Sequence, residues 1–312
     1  MASLFPHCAS PLTRARIPRA APRSARHTAP ARCAAAPADD PHVVGRREAI
    51  SAGVIASLLV AQPAAAEALA GAGDGPVLVV GATGNTGRRV VEQLRARGVA
   101  VRAASRKPDK MRALGIEAAG AELVALDVLD PESISSAMAG VSAVVCCTGF
   151  TPSLNFKKDN PAKVDHVGTD NLVAAAVSEK GVKRFVLVTS LLTNAKAVGQ
   201  ADNDNYKFLN ALGGVLDEKL AAELNLRDSG LDYTIVRPGG LSNEPESVTG
   251  PVIVRGEDTT FGLPTDPGRE ISRDTVAAVC VEALFASGAS KRVVEIVASP
   301  DAPKTGPETW FA

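Results

Sequence analysis

From residue 77 onward, short and almost wholly apolar runs alternate with longer stretches in which apolar residues recur every three or four positions. Runs of this kind suit strands buried on both faces, and the intervening period is that of amphipathic helices. The runs at 77–80, 99–104, 122–126, 143–147, 184–189, 233–236 and 293–297 predict seven strands. The segments 88–97, 131–138, 169–179, 216–227 and 273–285 predict helices between them. Such alternation implies an α/β fold with a doubly wound parallel sheet of about seven strands. Residues 241–270, rich in Pro, Gly and charge, break the rhythm and are expected to form a small C-terminal substrate lobe. No internal repeat is visible, so 75–305 reads as one domain.

The chain before this domain has another composition. Residues 1–38 carry six Arg and no Lys, Asp or Glu among many Ala, Ser and Pro. This matches an organelle transit peptide and cannot build a packed core, so 1–44 is expected to be a plastid transit peptide. Over 45–66, Arg46 and Arg47 precede an uncharged stretch at 49–62 and the small residues Ala64, Ala65 and Ala66. These are the parts of a twin-arginine thylakoid signal, and the stretch is shorter than the roughly 20 residues that span a bilayer. The expected address is the chloroplast, at the thylakoid lumen or thylakoid surface. Should 49–62 merely extend the transit peptide, the address is the stroma.

The whole chain balances 34 basic against 34 acidic residues. Removing 1–66 takes away eight Arg but only two Asp and one Glu, which leaves the domain mildly acidic. That disfavours a nucleic-acid partner, which calls for a basic stripe. The five Cys, at positions 8, 33, 146, 147 and 280, lack metal-ligand spacing. Cys146 and Cys147 end an apolar run and read as small core side chains. His166 has no Cys, His or carboxylate cluster around it in sequence, so no metal site is expected.

The candidate chemistry begins at the first strand, which runs directly into Gly81-Ala-Thr83-Gly84-Asn85-Thr86-Gly87 and then a helix. Gly81 can make the tight turn, Gly84 lets backbone approach a pyrophosphate, and Gly87 lets helix and strand pack closely, with the helix N-terminus facing the anion. This is the turn of a Rossmann dinucleotide site. The second strand ends in Ser105-Arg106-Lys107 and offers no acid to an adenosine ribose, so the expected cofactor is NADP(H), with Arg106 and Ser105 on its 2′-phosphate. The alternative for Arg106 is a solvated loop residue. Asp127, followed by Val128 after the third strand, is placed to reach adenine. Thr148 and Gly149 follow the fourth strand and should pass the cofactor ribose, while Arg237-Pro238-Gly239-Gly240, after the sixth strand, should line the nicotinamide end, or its Pro and Gly simply turn the chain into the lobe.

Several segments, GATGNTG, ALDVLD, CCTGF, VDHVGTDNLVAAA, RFVLVTS and SGLDYTIVRPGGL, occur in the order found in atypical short-chain dehydrogenase/reductases. The chain resembles this family over about residues 75–305, and within it the chloroplast proteins related to flavin reductases and the NmrA-like proteins. In the tyrosine-using members, the resemblance implies a Ser that polarises a carbonyl and a Tyr and Lys four residues apart that supply the proton. Ser190 and Lys219 match the Ser and Lys, but Val215 stands at the Tyr position. Tyr206 is followed four positions later by Asn210, so it does not restore the pair. Asn171 matches an Asn that holds a structural water in related enzymes, or is an ordinary polar residue near a helix start.

The chemistry left open is hydride transfer from NADPH to an acceptor that tolerates charge: a flavin, a quinone or another conjugated plastid metabolite. Ser190 would hydrogen-bond this small molecule, and Lys219 would bind the nicotinamide ribose or stand idle on its helix. The alternative is a noncatalytic NADP(H)-binding redox sensor or thylakoid scaffold, associated with the thylakoid membrane.

Overall fold

The computed structural model describes residues 74–151, 159–211 and 213–312; the targeting segments expected over 1–66 lie outside the described residues. Its parallel core comprises β1 (Val77–Val80), β2 (Val101–Ser105), β3 (Glu122–Ala125), β4 (Ala143–Cys146), β5 (Arg184–Val188), β6 (Tyr233–Pro238) and β10 (Arg292–Ala298). The spatial order is β3-β2-β1-β4-β5-β6-β10, each neighbouring pair parallel. Order reverses between β1 and β4, and that gap at the carboxyl edge is where an open α/β sheet receives its ligand.

Both faces of the sheet are covered. On one lie α1 (Asn85–Ala96) and α8 (Arg273–Phe285), whose Val90, Val91, Leu94, Val276, Val279 and Cys280 join Val77, Val79, Val145 and Val236 in one core. Arg89 of α1 and Arg97 at its C-terminal cap pair with Asp274 and Glu282 of α8 at 2.8 and 3.1 Å, fixing the helices side by side. On the other face lie α3 (Pro131–Met138) and α4 (Gly168–Glu179), with Leu226 of α6 (Val215–Asp228). Successive residues of β1 alternate between these cores, Val77 and Val79 to one, Leu78 and Val80 to the other, as period-two side chains must. Two short helices, α2 (Pro108–Ala113) and α5 (Asp204–Asn210), complete the larger connections.

Within 241–270 the chain adds to the same sheet. β8 (Val252–Gly256) pairs antiparallel with β10, and β9 (Glu270–Ser272) bonds β10 and runs parallel to β7 (Gly240–Ser242). Between β7 and β8 lies a single helical turn, α7 (Glu246–Thr249).

A buried ion cluster ties these strands to the parallel core. Arg237 on β6 is fully buried; its Nε and Nη2 donate to Glu223 of α6 at 3.1 and 2.5 Å, and its Nη1 donates to Asp258 at 2.8 Å. Glu223, also fully buried, accepts from Thr189 and Thr193. Glu295 on β10 receives the backbone N–H groups of Asp258, Thr259 and Thr260, which holds the turn after β8 against the cluster. Burial alone would depress Arg237, but the hydrogen bonds and charge of Glu223, then Glu257 and Asp258, raise its pKa above the ordinary arginine value. Burial pushes the Glu295 carboxyl upward against those three N–H groups and Arg237.

Removing one partner from a buried ion pair leaves the other uncompensated, at about 3–5 kcal/mol. Arg237→Met should therefore lose that much stability in urea unfolding, and the Glu223→Gln/Arg237→Met double variant markedly less. Equal losses in the two would contradict the pairing.

Candidate functional site

The candidate site starts where β1 turns into α1. Gly81 has φ +82°, a left-handed conformation, and a side chain there would meet the Cys147 carbonyl at 2.9 Å. A Cβ on Gly87 would sit 2.4 Å from the Gly81 carbonyl. The sequence needs glycine at both places because strand, turn and helix pack through backbone. Helix α1 is capped by Gly84 without a side-chain hydrogen bond and has no acid in its first turn. Its first N–H groups therefore keep their partial positive charge for an anion. Gly84 and Asn85 are exposed, while Thr86 and Gly87 are buried.

On the adenosine side, Thr83 Oγ1 lies 3.2 Å from Ser105 Oγ, which also accepts from the Lys107 N–H at 3.3 Å. Arg106 is exposed just after β2; its Nη1 donates to Asp159 at 2.9 Å, with half of the Arg side chain in solvent. Asp127 accepts the Leu129 N–H on one oxygen at 3.1 Å. The Val128 carbonyl accepts from Asn171 Nδ2 at 2.9 Å, so Asn171 ties α4 to the loop after β3.

At the other end of the crevice, Gly81 packs against Cys147 and the backbone N of Thr148, whose hydroxyl lies 3.1 Å from Cys146 Sγ. Next comes Gly149, beside Lys219 on α6. Lys219 Nζ donates to Asp165 at 2.7 Å, and the other Asp165 oxygen accepts the Phe150 N–H at 3.1 Å. The Lys side chain is 15% exposed and that of Asp165 is fully buried.

Ser190, half-buried just beyond β5, lines a cleft of about 940 Å³ together with Pro238, Gly239 and Gly240. Leu241, Phe208 and Val248 supply apolar surface there, and Arg269 and Arg273 supply cations. Arg237 does not line the cleft. Neighbours along a strand face opposite ways, and the Arg turns into the ion cluster while Pro238 faces the opening. Val215 begins α6. Tyr206 is buried and donates its hydroxyl to Asp217 at 2.6 Å; burial and that carboxylate raise its pKa. The chain has two Tyr, and the other, Tyr233, is buried at the start of β6. Neither lines the cleft.

Asp165, Asp159 and the apolar lining of the cleft were not anticipated from sequence. Asp165 lies inside a segment of evident interest, but nothing in its spacing announces a partner 54 residues later. His166, expected on a helix surface, bonds Glu218 at 2.9 Å and Asp170 at 3.3 Å. Among the described residues no group of three or more His, Cys, Asp or Glu is arranged to hold a metal.

A glycine turn at an uncapped helix start, a polar end to β2 and a crevice between β1 and β4 fit a dinucleotide, and together they define a Rossmann nucleotide-binding protein. The chain belongs to the NAD(P)H-binding family of atypical short-chain dehydrogenase/reductase type, whose model matches residues 81–287. It is 45% identical to an uncharacterized chloroplastic protein of Arabidopsis thaliana, over 76% of this chain and 81% of that one. It is 34% identical to the chloroplastic protein TIC 62 of Pisum sativum over 75% of this chain but only 45% of that longer protein. Sanguinarine reductase of Eschscholzia californica is 30% identical over 72% of this chain and 89% of that one. Among solved structures, a putative NAD-dependent epimerase/dehydratase from Bacillus halodurans is similar with a TM-score of 0.61 and 28% identity, covering 76% of this chain and 99% of that one.

Gly87→Ala should force α1 away from β1, costing about 1–3 kcal/mol of stability as overpacking does, and weaken NADPH binding in calorimetric titration. Unchanged affinity would move the phosphate site elsewhere. Burial pushes the Cys280 thiol up to about 12. In mildly alkaline buffer Cys280 should therefore resist iodoacetamide in the folded protein and react once unfolded, as read by peptide mass spectrometry.

Proposed function

We propose that this protein is an NADPH-dependent reductase that passes hydride to a flavin, a quinone or another conjugated plastid metabolite. The observation carrying this reading is Ser190 in a cleft of about 940 Å³ that combines apolar side chains with Arg269, Arg273, Glu244 and Glu270 and that no Tyr side chain lines. Bound NADPH would supply the hydride. The chain's own part is placement: Gly81, Thr83, Gly84, Asn85, Thr86 and Gly87 cradle the pyrophosphate, and Ser105 and Arg106 hold the 2′-phosphate. Asp127 and Val128 border the adenine, and Thr148, Gly149 and Lys219 border the nicotinamide ribose. Pro238 and Ser190 face the acceptor. Holding two reactants in contact can supply several kcal/mol of barrier reduction without a dedicated acid, and a conjugated acceptor can take its proton from solvent.

NADP(H) is favoured over NAD(H) because β2 ends in Ser105-Arg106-Lys107 with no acid for a ribose hydroxyl. The likeness to sanguinarine reductase supports reduction of a conjugated small molecule. The chloroplastic relatives support the plastid address, and the twin-arginine pattern supports the thylakoid lumen or thylakoid surface within it, with the stroma as the alternative.

A second reading, a noncatalytic NADP(H)-binding redox sensor or thylakoid scaffold, draws on the likeness to TIC 62 and on Val215 standing where a Tyr would act. Acceptor-dependent NADPH oxidation by the full chain, with FMN, a soluble quinone and biliverdin, separates the two. Turnover above the uncatalysed rate is expected; tight NADPH binding without turnover on any acceptor would favour the second reading. Arg106→Glu should weaken NADPH at least about tenfold, the scale of a lost charge-assisted hydrogen bond, and affect NADH far less. Equal effects on both would remove Arg106 from the 2′-phosphate.

A further inference from the structure

We propose that Asp165 is the positioning residue of the nicotinamide end, holding Lys219 and the Gly149–Phe150 backbone in register with each other. This rests on the reading of Lys219 and Gly149 given above.

Asp165 carries one of the few carboxylates with no exposed side-chain surface, and such a charge costs several kcal/mol to bury unless it is paired and hydrogen-bonded. Its two oxygens are divided between two elements. One accepts Lys219 Nζ at 2.7 Å and the other accepts the Phe150 N–H at 3.1 Å. A Cβ built on Gly149 would lie 3.6 Å from both Lys219 Nζ and Asp165 Oδ1, so the chain just after β4 runs directly over the pair. Both elements bonded by Asp165 therefore border the crevice, and their separation is set by one carboxylate.

The local backbone serves the same end. Asp165 lies in a π-turn, Ala162–Val167, that leads into α4. Adjacent residues of a regular helix point about 100° apart. In this turn, however, adjacent Asp165 and His166 reach adjacent residues of α6, Lys219 at 2.7 Å and Glu218 at 2.9 Å. Wide turns of this kind recur at functional positions. The result is two bonds from one short segment to one turn of α6, which fix both the rotation of that helix and the direction of Lys219.

Without a Tyr at position 215, the charge partner of Lys219 is Asp165. An ammonium has three N–H donors; Asp165 takes one and orients the others. Lys219 is 15% exposed, and on the reading above its remaining N–H groups would meet ribose hydroxyls.

The test uses the full chain and two ligands. NADPH carries the nicotinamide ribose, whereas 2′,5′-ADP carries only the adenosine half. Asp165→Asn should lower NADPH affinity at least about tenfold, the scale of a lost charge-assisted hydrogen bond, and leave 2′,5′-ADP affinity within about twofold. Asp165→Glu should recover part of the loss. An equal fall for both ligands would show a merely structural role and overturn the proposal, as would no change for either. If Asp165→Asn does not fold, Asp165→Glu, which keeps a carboxylate opposite Lys219 but shifts its reach, supports the same comparison, with a smaller fall for NADPH and none for 2′,5′-ADP. Failure of the unaltered chain to bind NADPH at all would sink the underlying cofactor reading, a result distinct from these.

Discussion

The Arg237–Glu223 pair is the constraint around which the carboxyl half of the domain is arranged. A guanidinium and a carboxylate without exposed surface must find each other, and each must have its remaining hydrogen bonds satisfied. Arg237 comes from β6, Glu223 from α6, Asp258 from the turn after β8, and Glu295 from β10. Thr189, which completes the coordination of Glu223, immediately precedes Ser190. The cluster therefore fixes the strand end on which the cleft is floored. It also makes β8 part of the same cooperative unit as the parallel sheet rather than a loosely attached edge.

The parallel core was legible from sequence because its strands are apolar on both faces, and that composition has few other uses in a soluble chain. The glycine turn was legible for a related reason: Gly81 and Gly87 sit where backbone meets backbone, so chemistry and packing demand the same residue. The strands at 252–256 and 270–272 were not, because they are short, partly exposed and interrupted by charge; the first pairs along the edge of β10 and the second chiefly with β7. Arg237 was read toward the cleft for want of knowledge of strand parity, which only the register of β6 supplies. Asp165 was silent because its meaning lies entirely in a contact across 54 residues.

A third, smaller apolar cluster lies behind one wall of the cleft. Tyr206 is committed to Asp217, which also takes Lys196 at 2.7 Å, and this polar knot lies beside the small apolar cluster of Leu191, Leu192, Ala195 and Leu216. That cluster supports the loop after Ser190 from behind. The cleft wall is thus stiff on the sheet side, while Phe208, with 71% of its surface exposed, and Val248, with 59%, form an apolar rim on the other.

The Arg106–Asp159 contact changes what discrimination at the end of β2 means. On the cofactor placement proposed above, a 2′-phosphate arriving there would meet a guanidinium that already has a carboxylate, so association would be an exchange of one anion for another rather than the filling of a vacant socket. The partly exposed pair contributes only about 0–1 kcal/mol, and giving it up is cheap, but the displaced carboxylate stays nearby as a like charge. The gain from a phosphate is then the margin by which it outcompetes Asp159. On the same placement that margin would shrink as dissolved salt screens both contacts, and the choice between the two nicotinamide dinucleotides would then follow the ionic strength of the compartment.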